Sequence, residues 1–403
     1  MANSKEMTRG AVFPLLFSFT MPLLLGNLLQ QTYSLIDAAI VGKFLGINSL
    51  AAVGASTSVI FLILGFCNGC CAGFGIPVAQ KFGARDYATM RRYVAVGLQL
   101  ATVMSVVIAA ISGFYCRDIL RGMQTPGNIF DGAYEYLFVT FIGIPCTFFY
   151  NLLASIMRAL GDSKTPFWFL LFSTVLNVFL DFQKGIFGLK RQIVTGMLAI
   201  GLSPFLMNLC ACFVVILINK SLKTYGGDLA IGAYGIVNRI IFLFIMIVMG
   251  FNQGMQPIAG YNFGARLFDR LIQVLKYTIF CGVTVTTIGF LAGQIFPRSL
   301  IYLFTSDETL TDIAVEGLRI VLIFFPVVGF QMVTSSFFQS IGMAKKAIFL
   351  SLTRQLLFLI PSLLIFPSIW GTIGVWMSMP VADAIATVVA ACMLRWQLKH
   401  LKV

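Results

Sequence analysis

Apolar stretches long enough to cross a bilayer recur from one end of this chain to the other, and no other feature limits its fold as tightly. They cover residues 12–40, 50–80, 93–114, 136–157, 167–182, 201–218, 231–260, 277–295, 315–341, 347–366 and 369–394, joined by short loops marked by Gly, Pro, Asp and Lys. A helix needs roughly 20 apolar residues to cross the hydrocarbon, where only helices and closed barrels satisfy every backbone polar group. Barrel strands alternate apolar and polar residues in short segments, and no such alternation is present. Only 11% of the 403 residues are charged, against about 25% in a soluble domain. The expected class is an all-α polytopic membrane protein.

A formal net charge of +13 would, in a soluble protein, raise nucleic acid as a partner. Here Lys and Arg collect in short loops, as they do on the cytoplasmic side of membrane proteins, so the expected surroundings are lipid and no nucleic acid. MANSKEMTRG runs into the first span without a small-residue cleavage site, so no cleavable leader is expected. Cys67, Cys70 and Cys71 imitate a metal spacing, but apolar flanks and the lack of a nearby second Cys or His pair make them packing residues. With one histidine, His400, and no Gly-rich phosphate loop, the chain is not expected to be an enzyme or to hold a cofactor.

Moving the sequence along itself by 181 positions lays FGAR at 82–85 on FGAR at 263–266. The same offset pairs Gly54 with Gly235, Gly73 with Gly254, Glu135 with Glu316, Pro145 with Pro326, Gly161 with Gly342 and Lys164 with Lys345. One constant offset over more than a hundred residues marks two homologous helical bundles on a twelve-helix plan. Secondary transporters are commonly built from repeats, with the site near the repeat interface or within a bundle.

Basic residues orient both halves alike. Lys5 and Arg9 precede span one, Lys81, Arg85, Arg91 and Arg92 follow span two, and Arg158 and Lys164 follow span four. Arg266, Arg270, Lys345 and Lys346 repeat the pattern. These loops and the N-terminus are therefore expected in the cytoplasm, in a multi-pass protein of a bacterial plasma (inner) membrane. Halves of like orientation need an even number of crossings in the first, yet five are present there, and about 11 in all. After Asp181 the counterpart of residues 369–394 is missing, and QKGIFGLKRQ, with Lys184, Lys190 and Arg191, reads as an amphipathic interfacial segment. The expected organisation is a first bundle over 1–182, a linker over 183–200 and a second bundle over 201–403. One span, roughly 35–45 residues with its loops, is then lost by deletion, passed over in the numbering, or absent by natural truncation.

The residue that stands out against this background is Asp37, near the far end of span one. A carboxylate at membrane depth costs roughly 3 kcal/mol on insertion scales, so such groups face a protein interior or a water-filled cavity. Asn27, Gln30, Ser34 and Asp37 fall at i, i+3, i+7 and i+10, one helical stripe. In span five Asn177 and Asp181 are four residues apart and share a face. Counted from the basic end, both acids lie toward the opposite side of the first bundle. Two carboxylates in a partly desolvated pocket repel, and a proton or a Na⁺ relieves that repulsion. Oxygen ligands from Asp, Asn and Tyr suit a hard cation. Asn68, Asn151, Asn252, Gln253 and Gln256 are expected to bridge helices, and Arg354 and Asp383 in the last two spans have the charges to neutralise each other.

IDAAIVG at 36–42, LAAVG at 50–54, AYGIVNRI at 233–240, QGMQPIAGYNFGA at 253–265 and RALGDSKTP at 158–166 together resemble the multidrug and toxic compound extrusion (MATE) family of cation-coupled antiporters. The resemblance covers nearly the whole chain apart from the missing sixth span. It implies two six-helix lobes, alternately open to each side, that exchange organic cations or amphiphiles for H⁺ or Na⁺, in a monomer. Asp37 stands at the family's coupling position, Pro22 at its helix-bending proline, Asn177 and Asp181 at its fifth-helix pair, and Tyr136 at its fourth-helix tyrosine. Asp37, Asn177 and Asp181 would be the ligands where the ion is Na⁺, and Asn27, Gln30 and Ser34 would line the substrate cavity. The chain departs from members that carry acids in the seventh and tenth helices: Cys212 and Gln331 stand there, which favours the first lobe as the ion site. The alternative is a flippase for a lipid-linked oligosaccharide or peptidoglycan precursor. Such a protein would line its cavity with Arg and Lys at mid-depth, where this sequence puts acids.

Overall fold

The computed structural model describes residues 7–40, 46–163, 165 and 191–400, apart from Gln124, Pro126 and Ser306; within helices the side chains of 28–40, 46–55, 57–58, 128, 191–212 and 228 also lie outside the description. The described residues are helices and turns. The first half comprises α1 (Val12–Ile40), α2 (Gly46–Gly83), α3 (Tyr87–Phe114), the short α4 (Cys116–Gly122), α5 (Gly127–Ile142) and α6 (Ile144–Ala159). The second comprises α7 (Arg191–Gly264), which is kinked at Gly227, then α8 (Phe268–Ile295), the short α9 (Pro297–Tyr302), α10 (Glu308–Val321) and α11 (Phe325–Ser340). α12 (Ala344–Leu352) continues through a π-helical turn, Thr353–Leu359, into α13 (Ile360–His400), which is kinked at Gly371. The fifth span at 167–182 lies outside the described residues. α7 already begins at Arg191, inside the stretch expected as a linker.

The duplication read from the sequence is present in the backbone. Shifted by 181 positions, α3 falls on α8 and α6 on α11 at both ends. Arg85 and Arg266 share a left-handed φ of 59°, and Gly161 and Gly342 have φ of 94° and 79°. Each is the reversing residue that closes a helix. The N–H of Asp86 reaches back to the Lys81 carbonyl at 3.0 Å, that of Leu267 to Asn262 at 2.9 Å, and that of Asp162 to Met157 at 3.0 Å. Such left-handed caps satisfy carbonyls that a helix end leaves without partners. Arginine in place of glycine is costly there, and its recurrence in both copies ties the turn to the repeat.

α5 and α6 meet at an angle of 46°, and α10 and α11 at 56°. Pro145 and Pro326, each just inside the second helix of its pair, cannot donate to the ladder and break it there. In the first half's core, Cys67, Cys70 and Cys71 are buried with Phe74, Phe148 and Leu152, where packing accounts for them. His400 ends α13 with its ring against Trp396.

The loop after α2 carries one clear capping device. Asp86 accepts the Thr89 N–H at 3.2 Å and pairs with the Lys81 ammonium at 3.2 Å. Hydrogen bonds from the Thr89 side chain and backbone, aided by Lys81, hold this carboxyl below the ordinary carboxylate range. Its counterpart, Leu267, offers no side-chain cap. A depressed folded-state pKa means the contribution is present above the unfolded value and is lost as pH falls through the folded one. Asp86→Ala is expected to lower the unfolding temperature by about 1–2 °C at neutral pH and to leave it unchanged in acid. A pH series of melting curves checks this.

The halves meet chiefly where α2 crosses the 228–264 arm of α7. Tyr261 is the repeat counterpart of Gln80, and Gly264 that of Gly83. A Cβ on Gly83 would lie 2.9 Å from Tyr261 Cα, and one on Gly264 would lie 3.0 Å from Gln80 Cα, with the carbonyl oxygens nearer still. The contact is thus reciprocal, a pseudo-twofold seam in which each glycine rests on the other half's backbone. Phe82 stacks edge-on against Tyr261 at 5.2 Å, and the Gln80 amide donates to the Ser340 carbonyl at 3.1 Å. Lys81, Arg85 and Arg266 lie within a few residues of this seam in the sequence, so the contact is at the basic end of the two halves.

Candidate functional site

α1 is the helix on which the polar stripe sits, and its first part packs where the sequence did not suggest. Val12, Leu16, Phe19 and Leu23 are buried with Val248, Met255, Ile258, Leu271 and Val274, all from the second half. Gly250 and Gly254, one turn apart, permit the approach: a Cβ on Gly254 would be 3.0 Å from Thr20 Cβ, and one on Gly250 2.7 Å from Leu24 Cγ. Small residues spaced by four are how membrane helices bring their backbones together. Gly69 and Gly73 repeat the spacing in α2, so the signal was in the sequence without saying which helix it receives.

The turn ahead of α1 is anchored to the same half. Arg270 donates from Nε to the Met7 carbonyl at 3.2 Å, from Nη1 to Gly10 at 2.6 Å and from Nη2 to Arg9 at 2.7 Å. The Asn262 amide also donates to the Met7 carbonyl at 3.2 Å. A cavity of about 470 Å³ beside this anchor is lined by Thr8, Arg266, Phe268 and Arg270 and belongs to the basic end.

Along the stripe, Asn27 donates to the Gln253 side-chain oxygen at 3.4 Å, which places the near end of the seam between the halves. Gln30, Ser34 and Asp37 continue along helical α1, their side chains outside the description. Pro22 lies within α1 and is half-buried; it has no N–H to give to the carbonyl four residues back. Tyr136 sits on α5 at 37% exposure. Asn177 and Asp181 lie outside the described residues, as does the side chain of Cys212.

Of the five amides expected to bridge helices, Gln253 and Gln256 do so among the described residues; Asn151 bonds within its own helix and Asn68 is exposed. Gln253 is held by Asn27, Gln256 donates to Gln339 at 3.4 Å, and Asn151 donates to the Thr147 carbonyl on its own helix at 2.9 Å. Thr20 Oγ1 and Asn252 Oδ1 are buried and have no hydrogen-bond partner among the described residues. In the second half, Arg354 and Asp383 do pair, with Nε to Oδ1 at 2.5 Å.

Chemically, a helix that carries a carboxylate residue beyond its packed part, and an amide at the near end of the same stripe, can bind hydrogen-bond donors and cations.

Comparison with known proteins places the chain among transporters. The MatE family model matches residues 22–183 and 200–364. The chain is 24% identical to the probable multidrug resistance protein YoeA of Bacillus subtilis, with 95% of this chain and 93% of that one covered. It is 21% identical to the multidrug export protein MepA of Staphylococcus aureus, with 95% and 93% covered. The YoeA match runs over 447 aligned positions, more than the 403 residues of this chain, so YoeA has positions with no counterpart here. Among solved structures, an outward-facing multidrug resistance MATE family transporter superposes with a TM-score of 0.90 at 22% identity, with all of both chains covered. A MOP superfamily transporter from Pyrococcus furiosus superposes with a TM-score of 0.88 at 23% identity, again over the whole of both.

Proposed function

The chain belongs to the MatE family, a family of multi-pass membrane transporters, and on that premise we propose that it exports organic cations and amphiphilic drugs in exchange for inward H⁺ or Na⁺. The observation that carries this reading is the carboxylate of Asp37 at the end of a polar stripe on α1, the helix whose near part packs on the opposite repeat. Multidrug resistance and export names among the relatives support it. Asp37 is the coupling group, with Asn177, Asp181 and Tyr136 as further ligands and Asn27, Gln30 and Ser34 on the cavity wall. Occupied by the ion, the carboxylate is neutral and releases an organic cation; emptied, it attracts one. Each ligand biases the same two-state equilibrium, and their mutual exclusion suffices for antiport.

In this reading the basic loops and N-terminus face the cytoplasm, and the seam at Gly83 and Gly264 closes that side, leaving the cleft open outward. The extra aligned positions in YoeA support the loss of a sixth span after residue 182, which sequencing of the coding region across Phe182 and Gln183 would test. A flippase of pyrophosphate-linked lipids fits less well, since the mid-depth Arg354 is already committed to Asp383.

The test is ethidium-type dye efflux from proteoliposomes under separate Na⁺ and pH gradients. Efflux driven by one gradient and abolished by its collapse is expected. Efflux indifferent to both would overturn the reading.

A further inference from the structure

A cavity of about 240 Å³ lies at the basic end of the second half, where the start of α12 meets the end of α13. Lys346, Cys392, Met393 and Trp396 line it, an apolar wall with a single ammonium in it. Lys346 is held in place by its neighbours. Its Nζ donates to the Gln397 side-chain oxygen and lies 4.4 Å from the centre of the Trp396 ring and 5.9 Å from that of Phe338. A cation over an aromatic face is attracted by the ring's quadrupole, so the charge is seated beside the cavity rather than trailing into solvent. An ammonium has three N–H donors, and Gln397 takes one. Cys392, Arg395, Trp396 and Lys399 fall at i, i+3, i+4 and i+7 along α13. Arg395 and Lys399 are exposed, as is Lys345 beside Lys346. Residues 341–352 and 384–400, the segments that supply the wall, contain no Asp or Glu. Trp396 is 54% exposed, and an exposed Trp among Lys and Arg at a helix end is how membrane proteins meet the headgroup layer. The repeat puts Thr165 where Lys346 stands, so the feature belongs to one half.

We propose that this cleft binds an anionic phospholipid, its phosphate on Lys346 and an acyl chain along Met393 and Cys392 beside Trp396. The two parts of the cleft call for the two parts of one amphiphile. A soluble anion would use the charge and leave the apolar wall uncovered; a zwitterionic lipid would use the wall and bring a second positive charge among Lys345, Arg395 and Lys399. Basic pockets between membrane helices take acidic headgroups in this way. The bound lipid reinforces the join between α12 and α13 that Lys346 and Gln397 make. The inference does not use the role given to Asp37, because its test measures lipid binding rather than efflux.

The experiment titrates acyl-brominated phosphatidylglycerol or phosphatidylcholine into the purified full-length chain in detergent and reads tryptophan fluorescence, which bromine quenches only at close approach. Phosphatidylglycerol is expected to quench at several-fold lower concentration than phosphatidylcholine, and the excess to disappear in Trp396→Phe. Lys346→Gln is expected to weaken binding of phosphatidylglycerol by about fivefold, while Lys346→Arg retains it. Arg92→Gln, which removes one exposed charge from the first half, is expected to retain it too. Equal quenching by the two lipids, persistence of the excess in Trp396→Phe, or a Lys346→Gln loss no greater than that of Lys346→Arg or Arg92→Gln would each overturn the proposal. So would displacement of the lipid by glycerol phosphate, which would mark a site for a soluble anion.

Discussion

Replacing Asp37 by Asn is expected to cut gradient-driven dye export at least about 100-fold while the protein still inserts and folds. Asparagine keeps the shape and hydrogen-bonding capacity of the side chain but removes the charge for which, in the proposed exchange, ion and drug compete. A coupling free energy between sites is typically up to about 3 kcal/mol, close to 150-fold, and with no charge to trade that coupling vanishes. Initial efflux rates in proteoliposomes measure the loss; size-exclusion profiles and melting curves confirm that the variant is folded. Export at native rates would remove Asp37 from the mechanism. Asp181→Asn, a further ligand in the proposed site, is expected to cost about tenfold, a difference of roughly 1.4 kcal/mol.

The second large effect is steric. Gly83→Val and Gly264→Val each place branched carbon where the other half's backbone already sits, within 3.0 Å of Gln80 or Tyr261 Cα. A flexible side chain could move aside; a main chain inside a helix cannot. Overpacking in a rigid contact costs about 1–3 kcal/mol. At the upper end this shifts the closed-to-open ratio at the basic end about 100-fold. Spin labels on Arg92 and Lys345, one from each half, are expected to report longer and broader separations in either variant, with dye export falling in parallel. Unchanged separations would show that the seam is not what holds that end shut.

Much of the architecture was legible because a membrane restricts the choices. The 181-residue offset predicted that α3 would match α8 and α6 match α11, since a duplicated pattern of apolar spans and glycine turns has to fold twice in the same way. The pairing of Arg354 with Asp383 was legible as charge arithmetic on neighbouring spans. The direction in which α1 packs was not. Its apolar face suits either half, and only Gly250 and Gly254, four residues apart in a distant helix, select the second. The bends at Pro145 and Pro326 were hidden for a related reason: the apolar run continues through them, so hydropathy extends the span while the proline redirects it. At the site, the stripe on α1 follows from helical spacing alone, but spacing does not say that Asn27 meets Gln253.

The clamp on α1 has a mechanical consequence. Arg270 fastens the turn ahead of the helix, and Thr20 and Leu24 seat its near part on Gly254 and Gly250. Asp37 lies beyond Pro22 by about 22 Å of helix rise. With the near end fixed, the proline is a fulcrum and the far part a lever arm: a swing of about 10° carries the Asp37 backbone through about 4 Å. Neutralising one carboxyl group would then be amplified into a stroke large enough to reshape the cleft, while the anchored stub transmits the reaction force directly to the opposite repeat.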